Sequence, residues 1–322
     1  MFSRLLTLPK ASVSLMLAVL ALRTVPAVCQ QTGVQLPLRT QVSALEGSEM
    51  SGLLKRAEDS DRLAQLDVAS RYFLGVDVPQ DYKKAAMWFE RAAGQELAEA
   101  KFMMGFLYEH GKGVQRDYPR ALEYYRAAAN QGYAIAANNL ASLYFHGLGT
   151  PKNIGAALKW YQFSAEHGDA TGQCNLATLY FIGKDIPKDY HEAARWFRAA
   201  AEQGFPLAEN DLAFLYFTGE GLVQDYGEAF KWTQRAAEQG YAPAQINLGD
   251  LYVEGKGVSL DYVTAYMWYT VGSGGDPRAS NRIKNLSRLI TSKQRLEAQN
   301  RAQSWLSFHP NLRAADENRE LK

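Results

Sequence analysis

The stretch DYGEAFKWTQRAAEQGYAPAQINLGDLYVEGKGV, residues 225–258, contains the pattern that decides the fold of this chain. Its acidic, aromatic and glycine positions return along the sequence at a constant distance of 36 residues, without insertions. The pair Asp-Tyr begins at five positions, and Asn153-Ile154 completes the series: Asp81, Asp117, Asp189, Asp225 and Asp261. Self-similarity at a period of this size is the signature of a solenoid of stacked units.

Three further columns keep the same period. Seven residues after each cap stands an aromatic residue: Trp88, Tyr124, Trp160, Trp196, Trp232 and Trp268. A second column is tyrosine throughout: Tyr72, Tyr108, Tyr144, Tyr180, Tyr216 and Tyr252. Three residues beyond each tyrosine comes a glycine: Gly75, Gly111, Gly147, Gly183, Gly219 and Gly255. Such a register over six units excludes a chance resemblance between segments.

Each unit is predicted to contain two helices. The Asp or Asn is a natural N-cap, and Glu228 stands three residues after Asp225, the spacing of a capping box. Ala229, Trp232 and the alanine pair after it then fall on one helical face. The second helix of the stretch has a stripe of small and apolar residues, which allows neighbouring helices to approach closely.

A single helix pair cannot bury its apolar face, whereas stacked copies form one continuous core. The fold class predicted is therefore all-α, a right-handed α-solenoid of 36-residue helix-turn-helix repeats with helical caps. At the C-terminal end, four residues are predicted to seal the last repeat: Leu296, Ala302, Trp305 and Leu306.

The units, of the form DYxxAxxWxxxAAxxGxxxAxxxLxxLYxxGxGV, resemble Sel1-like repeats, which are related to the tetratricopeptide repeat. The resemblance covers residues 60–275, and the segment after Ser292 is similar to the closing helix of many bacterial members. It implies a binding scaffold for other proteins, often exported and often active in signalling or envelope assembly, and the absence of catalytic motifs favours a non-catalytic one. It does not imply one partner.

The domain organisation follows from the repeats and the ends. Residues 1–29 resemble a signal peptide, with Arg4 and Lys10 before an apolar run and small residues for cleavage after Ala27 or Cys29. We expect a flexible lead-in over 30–48, six repeats with a capping helix over 49–276, capping helices over 277–309 and a disordered tail over 310–322. Export to the periplasm or secretion is favoured; a mitochondrial presequence is the alternative, since no acidic residue precedes Glu46.

Little in the sequence indicates chemistry. The formal net charge of +1 gives no basic surface for nucleic acid, so no nucleic-acid partner is expected. The G-x-G pairs recur in four units and lack the strand and full spacing of a phosphate loop, so we interpret them as turns. His191 begins HEAAR, but Arg195 stands where a zinc helix has its second histidine. We expect no cofactor, no metal, no catalytic residue and no membrane span, and a monomer.

Binding of a partner protein or peptide is predicted on the concave face, which the LxxLY helices line in related tetratricopeptide solenoids. One candidate column is a ladder of short polar side chains able to bond an extended backbone: Asn139, Asn175, Asp211 and Asn247. The other is a stripe of aromatic rings for its side chains: Phe145, Phe181 and Phe217. Both have structural alternatives, because asparagines can bond the adjacent helix and phenylalanines at helical spacing are commonly core.

A second function remains open at this point. An envelope hydrolase or carbohydrate-binding protein acting on peptidoglycan would need a pair of acids at a fixed distance in a cleft. Repetition favours the scaffold, because a catalytic site is normally built once whereas a long binding surface needs many similar units.

Overall fold

The structure, a computed structural model, describes residues 47–274 and 276–309. The signal peptide predicted over residues 1–29, most of the lead-in and the tail over 310–322 lie outside the described residues. The described part of the chain is helical and contains no strand. Its repeats consist of alternating A and B helices, so the chain folds as the predicted α-solenoid.

The A helices contain the tyrosine column, which belongs to an LxxLY motif in the last four of them: α2 (Arg62–Leu74), α4 (Ala98–His110), α6 (Ala134–His146), α8 (Ala170–Ile182), α10 (Pro206–Thr218) and α12 (Ala242–Glu254). The B helices follow the Asp-Tyr pairs: α3 (Tyr82–Gly94), α5 (Tyr118–Ala129), α7 (Ile154–Glu166), α9 (Tyr190–Glu202), α11 (Tyr226–Glu238) and α13 (Tyr262–Val271). The capping elements are α1 (Gly47–Glu58), a 3₁₀ turn (Gly272–Gly274), α14 (Arg278–Leu286) and α15 (Ser292–Phe308).

Each B helix begins at its predicted cap. The Asp225 carboxylate, for example, accepts hydrogen bonds from the backbone N–H groups of Gly227 at 2.8 Å and Glu228 at 3.0 Å. Asn153 has the same role at α7. The reciprocal half of the capping box predicted at α11 is not seen, because Glu228 accepts from Lys231 instead.

The G-x-G turns join one unit to the preceding one. Gly113 has a φ of +73°, and a Cβ placed on it would lie 2.1 Å from the carbonyl oxygen of Tyr82, at the start of the preceding B helix. Gly257 meets Tyr226 in the same way at 1.9 Å. This position therefore requires glycine for packing as well as for its backbone conformation, which agrees with the interpretation as a turn.

The C-terminal cap closes the apolar core largely as predicted. Ala302 is fully buried, and Trp305 packs edge-on against Trp268 of α13 with ring centres 5.6 Å apart. Leu306 is partly buried against the same cluster. The prediction for Leu296 was wrong, since its side chain is 59% exposed; α15 turns Ala298 and Ala302 toward the core and Leu296 away from it.

Candidate functional site

The four ladder residues lie on one face of α6, α8, α10 and α12. Asn175 of α8 donates from Nδ2 to the Oδ1 of Asn138 in α6 at 2.7 Å. Asn247 of α12 makes the equivalent bond to Asn210 of α10 at 2.8 Å. These side-chain bonds connect A helices of consecutive units directly.

The ladder is mostly buried. Asn175, Asp211 and Asn247 are only 4–5% exposed, whereas Asn139 is partly exposed. Within each pair, Asn138 donates to Asn139 and Asn210 donates to Asp211, both at 3.2 Å. Much of the hydrogen-bonding capacity of the ladder is thus used between units, and Asn139 is the member a partner reaches most readily.

Charged side chains continue this polar row at the C-terminal cap. Arg278 of α14 donates to Asn247 at 3.2 Å and pairs with Asp276. Arg282 binds both carboxylate oxygens of Asp250 at 2.6 and 2.8 Å, and Tyr269 donates to the same carboxylate at 2.7 Å. Burial, followed by the charge of Asp250, raises the pKa of Tyr269, which keeps this phenol protonated. The row therefore ends in a bonded network that fixes α14 against the last repeat.

The phenylalanine column lies in the packing between units. Phe145 and Phe217 are 5% and 8% exposed, and Phe181 is partly buried. Phe181 makes edge-to-face contacts with Phe197 of α9 and Phe214 of α10, at 6.2 and 5.8 Å between ring centres.

Lysines from neighbouring loops cover two of these rings. The Nζ of Lys152 lies 5.0 Å from the ring centre of Phe145, and that of Lys256 lies 4.4 Å from the ring centre of Phe217. A partner approaching here would meet ammonium groups before it met the rings.

Two rows beside the ladder are more accessible, and the sequence reasoning missed them. One lies four residues before the ladder: Ile135, Thr171, Leu207 and Pro243. The other lies seven residues after it: His146, Ile182, Thr218 and Glu254. Both spacings keep a residue on the ladder face of an α-helix. All eight side chains are at least partly exposed, and we call these two rows the flanking rows. The signal available in the sequence was this spacing.

The described residues offer neither a cluster of metal ligands nor a membrane-spanning helix. Between residues 47 and 309, Gly275 apart, no group of three His, Cys, Asp or Glu side chains is placed to hold a metal ion. In the same part of the chain, no helix has the length and apolar character needed to cross a bilayer.

The profile of the Sel1 repeat family matches six consecutive segments: residues 62–96, 98–133, 134–169, 170–205, 206–241 and 242–271. Each matched segment but the last starts at or just before an A helix and ends after its B helix. This chain is a Sel1-repeat protein. Proteins of this family are generally non-enzymatic and act as scaffolds for protein interactions.

Solved structures agree with the family. The chain is similar to a protective antigen of uropathogenic Escherichia coli with an SLR fold, at 34% identity and a TM-score of 0.78 over 84% of this chain. The match covers 59% of that antigen, so this Sel1-repeat chain spans only part of the length of its relative. It is also similar to a Sel1 repeat protein from Oxalobacter formigenes, at 29% identity and a TM-score of 0.62, covering 70% of this chain and 90% of that one. No curated protein matches the chain.

Proposed function

We propose that this Sel1-repeat protein is an exported, non-catalytic scaffold that binds an extended segment of a protein partner along the ladder face. The observation that carries the proposal is the alignment of the flanking rows across four consecutive A helices, with the polar ladder between them. Each unit adds a similar small surface, and together they form a long one.

The dimensions suit an extended peptide. Packed helices lie about 10 Å apart, and an extended chain advances about 3.3 Å per residue. About three peptide residues would therefore span one step between A helices, and four A helices would accommodate about ten. Apolar members of the flanking rows, such as Ile135 and Leu207, would contact peptide side chains. The partly exposed Asn139, which also bonds to Asn138 and Tyr125, would lie beside the peptide backbone.

The remaining predicted site residues have indirect roles in this proposal. Asn175 and Asn247 each bond to the preceding A helix and so help to set the spacing of the flanking rows, while Asp211 accepts a hydrogen bond from its neighbour Asn210. Phe145, Phe181 and Phe217 support the loops at one border of the face, because their rings pack beneath or beside these loops. Replacing the phenylalanines would therefore test folding before it tested binding.

The experiment is site-specific photo-crosslinking in the native cell. A photoreactive amino acid is placed at Thr171 or Leu207, in the flanking rows, and in a control at Lys231, an exposed residue of α11. We expect one protein to be captured from both flanking-row positions and not from Lys231. Capture from Lys231 alone, or no capture from either flanking-row position, would remove the ladder face as the binding surface.

Export is part of the same proposal and has its own test. The support is the order of basic residues, apolar run and small residues before Gln30. Mass spectrometry of the intact mature protein should give a chain that begins after Ala27 or Cys29, recovered from the envelope or the medium. A mature chain recovered from a mitochondrial fraction would favour the alternative address.

A further inference from the structure

A groove of about 440 Å³ lies between the B helices α3 and α5, with α4 as its floor. Lys101 and Tyr108 of α4 line it, and they lie roughly 140–160° around this helix from Met103, the ladder position of the same unit. The groove therefore opens on the side opposite the ladder face, and what binds in it is independent of the function proposed above.

The groove is acidic at two positions where other units are basic. Glu90 of α3 stands where the corresponding B-helix residues are Arg126 and Arg198 in two other units. Those arginines donate to the phenol oxygen of the tyrosine in the next A helix, at 2.6 Å in both cases. Glu123 of α5 likewise takes a position held by lysine or arginine in three later units: Lys159, Arg195 and Lys231.

The groove is also wider because two of its side chains are smaller than their counterparts in other units. Tyr124 is the one tyrosine in a column that is otherwise tryptophan, and Ala127 follows it by three residues. At the same spacing in two other units, an arginine lies over the indole: Arg91 over Trp88 at 4.6 Å and Arg235 over Trp232 at 4.5 Å. In α5, the short side chain of Ala127 does not reach over the neighbouring ring, so the aromatic ring of Tyr124 lines the groove.

The two cations that line the groove already have partners. Lys101 pairs with Glu96, and Arg120 donates to the phenol oxygen of Tyr108 at 2.9 Å and lies 3.6 Å from Asp117. Glu90 accepts a hydrogen bond from Tyr124 at 2.7 Å, which leaves further lone pairs on its two oxygens. The Glu123 side chain is exposed. Lys101 and Arg120 each have an acidic neighbour outside the lining of the groove, whereas Glu90 and Glu123 present carboxylate oxygens to the groove.

We propose that this groove binds an arginine side chain of a protein partner, with its guanidinium over Tyr124 and paired with Glu90 and Glu123. The partner's arginine would take the place that the chain's own arginine occupies in the units of Trp88 and Trp232. A planar guanidinium suits this place better than an ammonium, because it both stacks on a ring and binds carboxylates with several donors.

The test measures binding of N-acetyl-arginine methylamide to the whole protein by ligand-observed NMR titration. N-acetyl-citrulline methylamide, nearly the same shape without the charge, is the comparison ligand. Ala127→Arg refills the groove as in the sibling units, and the double variant Glu90→Gln, Glu123→Gln removes its two carboxylate charges. Ala199→Arg is the matched control, because Ala199 has the same place beside Trp196 in another unit. Circular dichroism checks that each variant is folded.

The expected result is saturable binding of the arginine compound to the parent protein and to Ala199→Arg. It should weaken at least tenfold in Ala127→Arg and in the double glutamine variant, and the citrulline compound should bind at least tenfold more weakly. No saturable binding to the parent protein overturns the proposal. So does undiminished binding by Ala127→Arg, or equal binding of the two compounds. Because the crosslinking positions lie on the other face, either proposal can fail without the other.

Discussion

Glu209 of α10 tests how neighbouring units are held together. Its side chain is fully buried, its Oε1 lies 3.0 Å from Arg235, and its Oε2 accepts a hydrogen bond from Gln239 at 2.7 Å. In three other A helices the same position is glutamine, whose amide donates at 3.0–3.1 Å to a backbone carbonyl eight residues earlier: Gln65, Gln173 and Gln245. An ionised carboxylate has no proton to donate, and the matching carbonyl, that of Ala201, receives a 3.5 Å contact from Arg235 instead.

The pH dependence follows from the direction of the shift. Burial raises the pKa of Glu209, although the charge of Arg235 and the hydrogen bonds from Gln239 and Arg235 oppose the rise. A raised carboxyl pKa means that the folded state favours the protonated form. This contribution to stability is therefore fully present below the unfolded pKa, about 4.3. It is lost as the pH rises through the folded pKa.

Replacing Glu209 by glutamine should therefore stabilise the protein at pH 7.5. The amide supplies the donor that Gln65, Gln173 and Gln245 supply in their units, and no buried charge remains. One such hydrogen bond contributes about 1 kcal/mol net, and we expect the free energy of unfolding to rise by about that amount. The gain should shrink as the pH is lowered toward 4, where Glu209 is itself protonated. Urea unfolding followed by circular dichroism at both pH values measures it.

Gln173→Glu is the matched control. The residue that corresponds to Arg235 in that unit is Ala199, so the new carboxylate would be buried without a guanidinium beside it. An unsatisfied buried polar group costs about 1–3 kcal/mol, and we expect a loss in that range at pH 7.5 that diminishes in acid. A Glu209→Gln protein less stable than its parent at pH 7.5 would refute the reasoning, because the ion pair with Arg235 would then outweigh the amide bond.

Three further predictions concern the same architecture. Gly113→Ala should destabilise the protein by at least about 2 kcal/mol more than Gly132→Ala, since both glycines have positive φ but only Gly113 faces a backbone oxygen at 2.1 Å; equal urea midpoints would contradict this. Asp225→Ala should lower the free energy of unfolding by about 1 kcal/mol through loss of the N-cap, whereas Asp225→Asn should lower it much less. Thermal unfolding of the two variants measures the difference, and equal melting temperatures would contradict the prediction. Phe145→Ala should lower the free energy of unfolding by about 3–5 kcal/mol, the range for a buried ring. An unchanged melting temperature would show that the Phe145 ring is not part of the core.

Much of the fold could be predicted because each unit repeats the same local signals. The cap at Asp225, the glycine that ends each A helix and the alanine pair of four B helices act within one helix or one turn, so spacing alone locates them. The second glycine of G-x-G was interpreted correctly as a turn residue. Its necessity, however, comes from the carbonyl of Tyr82 in the preceding unit, a contact that the sequence pattern does not display.

The candidate site was harder to predict, because burial on a helix depends on what the neighbouring units bring to it. The asparagine column has the same helical spacing whether its side chains bind a partner or bond to the adjacent helix. In the structure, Asn175 donates a hydrogen bond to Asn138 of the preceding unit, 37 residues earlier. The phenylalanine column is covered by lysines from other segments of the chain, such as Lys256 over Phe217. Period and polarity placed the ladder on one side of the A helices, whereas the exposure of the positions beside it follows from the packing of neighbouring units.

Departures from the repeat are the residues that stacking does not explain. Glu96 shows one kind: it stands where later units have glycine, keeps a left-handed backbone at φ +64°, and compensates by pairing with Lys101. Glu96 thus has an unfavourable backbone conformation and an ion-pair partner in Lys101. Glu123 is of another kind, because the basic residues it replaces in later units are exposed and stacking requires neither charge. Glu90, Glu123 and Ala127 each stand where at least two other units have a basic residue, and binding in the groove is the reason that we propose for this difference.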